Sequence, residues 1–122
     1  MSAKILIVED SRSMRRIVRS ALESEGYQVA ESEDGRQALN ALGDVAPHLI
    51  ITDVNMPEVD GISLVREIRR LPSFRFTPVI ILTTESGEDM KENGRAAGAT
   101  GWIVKPFTPE QLVAVVRKVI GG

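Results

Sequence analysis

The chain has 122 residues with 43% hydrophobic and 26% charged residues and a formal net charge of −2, the balance of one globular domain. The slight negative charge argues against binding to nucleic acid or an anionic membrane, and the absence of cysteine excludes disulfide bonds and cysteine metal sites. No apolar segment is long enough to span a membrane and the N-terminus does not resemble a signal peptide, so we expect a cytoplasmic protein.

Five short apolar runs alternate with segments of helical spacing along the chain. Runs of this kind predict buried strands, here near residues 4–8, 27–30, 48–52, 78–82 and 101–104. Strands that alternate with helices predict an α/β fold: a doubly wound, five-stranded parallel sheet with helices on both faces. We expect a single domain over residues 1–122 with no output domain attached.

The helices differ in how clearly they are marked. The first helix is predicted to bury one apolar face, formed by Met14, Ile17, Val18, Ala21 and Leu22. Its four arginines are Arg12, Arg15, Arg16 and Arg19. We expect them to form a solvated face, with docking of a kinase or an incoming phosphodonor as the alternative. The fourth helix, near residues 87–98, is weakly amphipathic and contains Gly94, which costs about 1 kcal/mol relative to alanine. It is either a movable element or an ordinary surface helix.

Helix ends carry their own signals. Gly26 and Gly43 are predicted as C-terminal caps. The segment Thr108-Pro109-Glu110-Gln111 combines a capping box with proline at the first helical position. Asp60 is predicted to cap the third helix.

Polar residues stand where the hydrophobic runs end. Glu9 and Asp10 follow the first run, Asp53 the third, Thr83 the fourth and Lys105 the fifth. In open α/β sheets, functional groups gather at the carboxyl ends of the parallel strands. Three carboxylates that meet there would repel one another unless a cation joined them. The pattern therefore predicts a site for a divalent metal and a phosphoryl group.

The expected cation is Mg²⁺, which prefers oxygen ligands and keeps several waters. Asp10 and Asp53 are the predicted direct ligands, Glu9 is expected to reach the ion through water, and the backbone carbonyl of Asn55 is a further candidate. Two adjacent acids alone would more often be a solvated surface pair. Acids that end two separate strands favour the metal site.

Asp53 is the candidate nucleophile, because a carboxylate can attack phosphorus and form an acyl phosphate. Phosphoryl transfer requires positioning and charge neutralisation, which Mg²⁺ and Lys105 would supply, while the hydroxyl of Thr83 would bind a phosphoryl oxygen. Lys105 precedes Pro106, and a cis bond there would direct the lysine into the pocket. A solvated lysine before a turn is the alternative.

Four segments together resemble a known family. Glu9-Asp10, DVNMPEVDG, LTTES and GATGWIVKPF, in this order and spacing, are similar to the receiver domains of two-component response regulators. The segment SRSMRRIV resembles the single-domain chemotaxis regulators of the CheY type. The resemblance covers essentially the whole chain and implies a flavodoxin-like fold with strand order 2-1-3-4-5. It also implies a signalling switch that catalyses its own phosphorylation and dephosphorylation, rather than an enzyme acting on a separate substrate.

The same resemblance implies roles for individual residues. The phosphohistidine of a CheA-like histidine kinase would donate to Asp53, Thr83 would move towards the phosphoryl group and the aromatic residue at Trp102 would turn inward. The face formed by the fourth helix, the last strand and the last helix would then change. Asn55 and Glu85 occupy positions that tune dephosphorylation. This chain departs from the usual pattern at Glu9, where aspartate is common, and at Trp102, where tyrosine or phenylalanine is usual.

The implied partners are the kinase and a flagellar motor switch protein or another phosphorylation-dependent partner, with a phosphatase as a further candidate. We expect a monomer. A phosphate sink or a phosphorelay intermediate is the alternative within the family. A haloacid-dehalogenase-like phosphatase is a remote alternative, because it needs a second aspartate where this chain has Asn55. A flavin-binding protein is disfavoured, since Glu9 and Asp10 would repel its phosphate.

Overall fold

The structure, a computed structural model, describes residues 3–54, 56, 59–84 and 88–121, with the backbone alone described for 88–90. Within these ranges, five strands alternate with five helices. The strands are β1 (Lys4–Val8), β2 (Gln28–Ser32), β3 (Leu49–Asp53), β4 (Val79–Thr83) and β5 (Gly101–Val104). The helices are α1 (Arg12–Glu23), α2 (Gly35–Val45), α3 (Gly61–Arg70), α4 (Glu88–Ala97) and α5 (Pro109–Ile120).

The strands form one parallel sheet in the order β2-β1-β3-β4-β5, which confirms the predicted fold class and strand order. The register aligns the ends of the strands: Val8 lies opposite Thr52, Asp53 opposite Leu82, and Thr83 opposite Val104. The polar residues at these strand ends, and those directly after them, therefore lie at one edge of the sheet.

The sheet separates two hydrophobic cores. On one face, α1 and α5 pack against alternate strand residues, including Ile7 and Ile51. On the other face, α2, α3 and α4 pack against the residues between them, including Leu6 and Ile50. All five residues of β3 and of β4 are buried, because both faces of these strands are covered. This double coverage explains why the strands are continuous apolar runs in the sequence rather than alternating ones.

The buried face of α1 differs from the predicted one. Arg15, expected on the solvated face, is only 8% exposed, whereas Ile17, expected in the core, is 50% exposed. Arg15 can be buried because its guanidinium has acceptors on Glu9 and Glu31, and a buried charge is tolerated when it is paired and hydrogen-bonded. Arg12 and Arg16 are exposed as predicted.

The two glycine caps have different outcomes. Gly26 has a φ of 89° and ends α1 in a Schellman arrangement, in which the N–H of Tyr27 donates to the carbonyl of Leu22 and that of Gly26 to Glu23. The prediction for Gly43 was wrong, because α2 continues past it to Val45. The left-handed residue there is Ala46, with a φ of 46°. Ala46 precedes a proline, which disfavours helical geometry at that position.

The other helix signals hold. The side chain of Asp60 accepts a hydrogen bond from the N–H of Ser63 at 2.8 Å, and Thr108 and Gln111 form the full capping box of α5. Helix α4 lies within one residue of its predicted bounds. Its Gly94 is buried, and a Cβ there would lie 3.3 Å from Cδ1 of Ile81. The glycine therefore lets α4 lie close to β4. The mobility of α4 stays a prediction.

None of the helices in the described part of the chain combines the length and apolar character needed to cross a lipid bilayer.

Candidate functional site

Backbone hydrogen bonds between neighbouring strands place the polar residues at the carboxyl edge of the sheet. The N–H of Glu9 donates to Ser32 at the end of β2, at 3.1 Å. The N–H of Lys105 donates to the carbonyl of Thr83 at 2.7 Å, so β5 is tied to β4 at its last position. The sheet itself, rather than a flexible loop, thus carries these side chains.

The structure brings the three predicted acids together. One carboxylate oxygen from each of Glu9, Asp10 and Asp53 lies within 4.8 Å of the others. Glu9 and Asp53 are only 1% and 6% exposed, whereas Asp10 is exposed. The cluster is therefore closed on the side of the sheet and open to solvent at Asp10.

Lys105 joins this cluster from the last strand. Its Nζ lies 3.2 Å from Oε1 of Glu9 and 3.2 Å from Oδ1 of Asp53, and the Lys105–Pro106 bond is cis. Burial by itself would lower the pKa of Lys105, but the charges of Glu9 and Asp53 and hydrogen bonds to both outweigh it, so the pKa is raised. The ammonium group thus stays charged beside the candidate nucleophile.

Glu9 is the carboxylate of the cluster whose charged form is disfavoured by burial. Its pKa is raised from 4.5 to about 7, chiefly because burial disfavours the charged carboxylate. The N–H of Ser11, which donates to Oε2 at 3.1 Å, and the charge of Lys105 lower the pKa, while Asp53 and Asp10 raise it. A carboxylate in this position would be stabilised by additional positive charge.

The predicted switch residues lie on neighbouring strands. Thr83, at the end of β4, is 1% exposed. Trp102 of β5 is half-buried and lies opposite Ile81 in the register. Two cations of α4 lie against its indole ring: Nζ of Lys91 is 5.5 Å and Cζ of Arg95 is 6.0 Å from the ring centroid. Asn55 and Glu85 lie outside the described residues, so their roles stay predictions.

A comparison with known protein families now bears on this geometry. The family model described as the response regulator receiver domain matches residues 5–117. The chain belongs to this family. The resemblance recognised in the sequence motifs is thereby confirmed.

Individual relatives of this receiver domain agree with the family match. The chain is 40% identical to chemotaxis protein CheY1 of Helicobacter pylori over 97% of both chains. Among solved structures, chemotaxis protein CheY4 of Vibrio cholerae is 43% identical, with a TM-score of 0.94 over 98% of this chain and 99% of that one. The receiver domain of the sensor histidine kinase PA1611 from Pseudomonas aeruginosa, described with a magnesium ion coordinated in its active-site cleft, is 32% identical, with a TM-score of 0.90 over the whole of both chains.

The acidic pocket of this receiver domain suits Mg²⁺. Receiver domains bind Mg²⁺ at an acidic pocket, and the cluster of Glu9, Asp10 and Asp53 supplies hard oxygen donors with one side open for water and substrate. The pKa of Glu9 is raised mainly by burial and also by Asp53 and Asp10, so a cation in the pocket would favour its charged form.

Two residues that lie against the backbone of the site were not identified from the sequence. Arg15 donates from Nη1 to the carbonyl oxygen of Glu9 at 2.6 Å. Its spacing from Val18 and Leu22 on the buried face of α1 was the signal for its burial. Gly61 begins α3 so close to β3 that a Cβ on it would lie 2.2 Å from the carbonyl oxygen of Asp53. Its place directly after a capping aspartate gave no hint of this contact.

Proposed function

We propose that this receiver domain is a phospho-acceptor switch in which Asp53 takes a phosphoryl group from the phosphohistidine of a CheA-like histidine kinase. The observation that carries the proposal is the position of Lys105, whose Nζ lies 3.2 Å from both Asp53 and Glu9. A carboxylate nucleophile, a charged ammonium group and an acidic cluster for a cation thus meet in one pocket. Phosphoryl transfer to a carboxylate needs this combination.

In the proposed reaction, a carboxylate oxygen of Asp53 attacks phosphorus while the P–N bond of phosphohistidine breaks. The imidazole nitrogen keeps the electron pair of that bond, and an acyl phosphate forms on Asp53. Lys105 balances negative charge on the phosphoryl oxygens, and the hydroxyl of Thr83 donates to one of them. Mg²⁺, when bound, supplies further charge neutralisation. Asp10 and Asp53 would hold it directly, Glu9 through water, and the backbone carbonyl of Asn55 would be a further ligand.

The output surface in this proposal is the face formed by α4, β5 and α5. Trp102 lies on this face, where it lines a groove together with Phe107 and Val115. Phosphorylation would draw Thr83 towards the phosphoryl group and let Trp102 move, which changes the face for a partner. A flagellar motor switch protein is the proposed partner, and the 40% identity with CheY1 over 97% of both chains supports a chemotaxis role.

A direct test is phosphorylation by acetyl phosphate in the presence of Mg²⁺, followed by intact mass spectrometry. We expect one added phosphoryl group, because the domain carries its own catalytic groups. Asp53→Asn should remain unlabelled, whereas Asp44→Asn, which removes an exposed carboxylate from α2, should be labelled like the wild type. Labelling that persists in Asp53→Asn, or that proceeds undiminished in EDTA, would refute the assignment.

The partner can be sought with the same proteins. The phosphorylated wild type and Asp53→Asn should be compared as baits, so that a partner of the active state is retained by the first and lost with the second. A protein that binds both equally is not an output partner of the switch.

A further inference from the structure

Arg15 is a buried cation outside the set of groups that take part in phosphoryl transfer. It lies on α1 with 8% exposure, and its guanidinium reaches both the first and the second strand. Nη1 donates to the carbonyl oxygen of Glu9 at 2.6 Å, and Nε donates to Oε1 of Glu31 at 3.2 Å. Glu31 also pairs with Arg19. A single side chain therefore ties the end of β1 to α1 and β2.

The carbonyl that accepts from Arg15 belongs to the peptide bond that joins Glu9 to Asp10. The N–H of Glu9 is already bound to the carbonyl of Ser32 at 3.1 Å. With both backbone groups of Glu9 held, the plane of the following peptide is fixed, and this plane sets the direction in which Asp10 leaves the chain. Asp10 is exposed, so the protein interior does little to hold it.

We propose that Arg15 is a positioning residue, which fixes the turn after β1 so that the carboxylates of Glu9 and Asp10 converge on the metal. The inference rests on the proposed function, since it assumes that these carboxylates bind Mg²⁺. Arg15 acts through the backbone and does not touch the metal or the phosphoryl group. Groups that orient metal ligands typically contribute about 10- to 100-fold in metal affinity.

The charge of Arg15 and its hydrogen bond to Glu9 have opposite expected effects on metal affinity. A positive charge close to the acidic cluster disfavours a second cation, so removing that charge alone would tighten metal binding. Loss of the hydrogen bond to Glu9 would instead weaken metal binding, because the carboxylates would no longer be held together. The sign of the change therefore separates the two effects.

The test measures Mn²⁺ binding by electron paramagnetic resonance of the free ion, with Mg²⁺ added as a competitor. Arg15→Lys keeps the charge but lacks the planar fork of donors with which the guanidinium bonds Glu9 and Glu31 at once. Arg15→Gln removes the charge. We expect both variants to bind about tenfold more weakly than the wild type. Arg16→Gln, which removes an exposed charge from the same helix, should bind equally well or slightly more tightly.

The inference is overturned if Arg15→Lys binds like the wild type or if Arg15→Gln binds more tightly. The wild type and Asp53→Asn provide the reference: a wild type that does not bind the metal, or an Asp53→Asn variant that binds as well, contradicts the proposed function itself. If the wild type binds through Asp53 and the Arg15 variants bind equally well, the inference about Arg15 alone is wrong.

A measurement on the wild type removes any dependence on the folding of variants. In the ¹⁵N-labelled protein, the Nε–H resonance of Arg15 should shift on Mg²⁺ addition with the midpoint of metal binding. Arg69 is the matched control, because its guanidinium is also partly buried and donates to carbonyls, those of Gly98, Phe74 and Thr77. Its resonance should stay in place. An Arg15 resonance that does not respond, or that responds only as much as Arg69, contradicts the proposal.

Discussion

The ammonium group of Lys105 lies 3.2 Å from Oε1 of Glu9, so the end of the last strand is joined by an ion pair to the end of the first. Because Glu9 is 1% exposed, this pair has little solvent screening. The lysine also touches Asp53, and it therefore supplies part of the positive charge that the acidic cluster requires. A metal ion held by this cluster would share its carboxylates with the lysine.

Replacing Lys105 with alanine should consequently leave Mg²⁺ affinity unchanged or raise it severalfold, because a competing positive charge is removed. The same variant should fail to switch partner binding after phosphorylation, because it has no ammonium group to form an ion pair with the phosphoryl oxygens. Metal titration and a pull-down of the partner measure the two effects. Arg70→Ala, which removes an exposed cation at the end of α3 and outside the proposed output face, serves as the control. Normal phosphorylation-dependent binding by Lys105→Ala would contradict this role.

The raised pKa of Glu9 predicts how stability depends on pH in the absence of metal. Between about pH 4.5 and 7, Glu9 binds a proton in the folded protein but not in the unfolded chain. The free energy of unfolding should therefore fall as pH rises through this window, by up to about 3 kcal/mol from this group. Urea unfolding in EDTA at several pH values measures the slope. Glu9→Gln should flatten it, and parallel profiles for the two proteins would show that Glu9 is not the titrating group.

Two glycines in helices should respond in opposite directions to alanine. Gly61→Ala would place a Cβ 2.2 Å from the carbonyl oxygen of Asp53, so α3 or β3 has to move. We expect a loss of more than about 2 kcal/mol in unfolding free energy together with slower phosphorylation of Asp53. Gly43 of α2 is exposed, and a Cβ added there would meet open space, so Gly43→Ala should gain about 0.5–1 kcal/mol. Chemical denaturation measures the free energy of unfolding of both variants. An equal change in that free energy at both sites would refute the steric account.

Trp102 is the single tryptophan of the chain, so its fluorescence reports on one position. Its indole is half-buried, with Lys91 and Arg95 against the ring. If phosphorylation turns the ring inward, Mg²⁺ with a beryllium fluoride as phosphoryl mimic should shift the emission to the blue and reduce quenching by acrylamide. Asp53→Asn should show no change under the same conditions. Equal accessibility of Trp102 in both states would mean that the signal leaves through α4 or the loop before it.

The sequence by itself determined the elements and the parallel sheet, and it predicted which polar residues would meet at the carboxyl edge of that sheet. Apolar runs in a doubly covered parallel sheet are continuous, so they marked the strands to within about two residues. Polar residues at the ends of those runs had to meet, because parallel strands end at the same edge. Helix caps such as Asp60 and Thr108 were readable because a cap bonds to residues only three positions away.

Only the tertiary structure determined the exchange of Arg15 and Ile17 on α1, the end of α2 beyond Gly43, the close approach of Gly61 to Asp53 and the raised pKa of Glu9. Arg15 of α1 is buried because Glu31 of β2 pairs with it, and Gly61 is needed because the start of α3 lies against the backbone of β3. The desolvation of Glu9 arises from the packing of the elements around it. Each of these features depends on how closely separate elements pack against one another. Local patterns of side chains do not encode those distances.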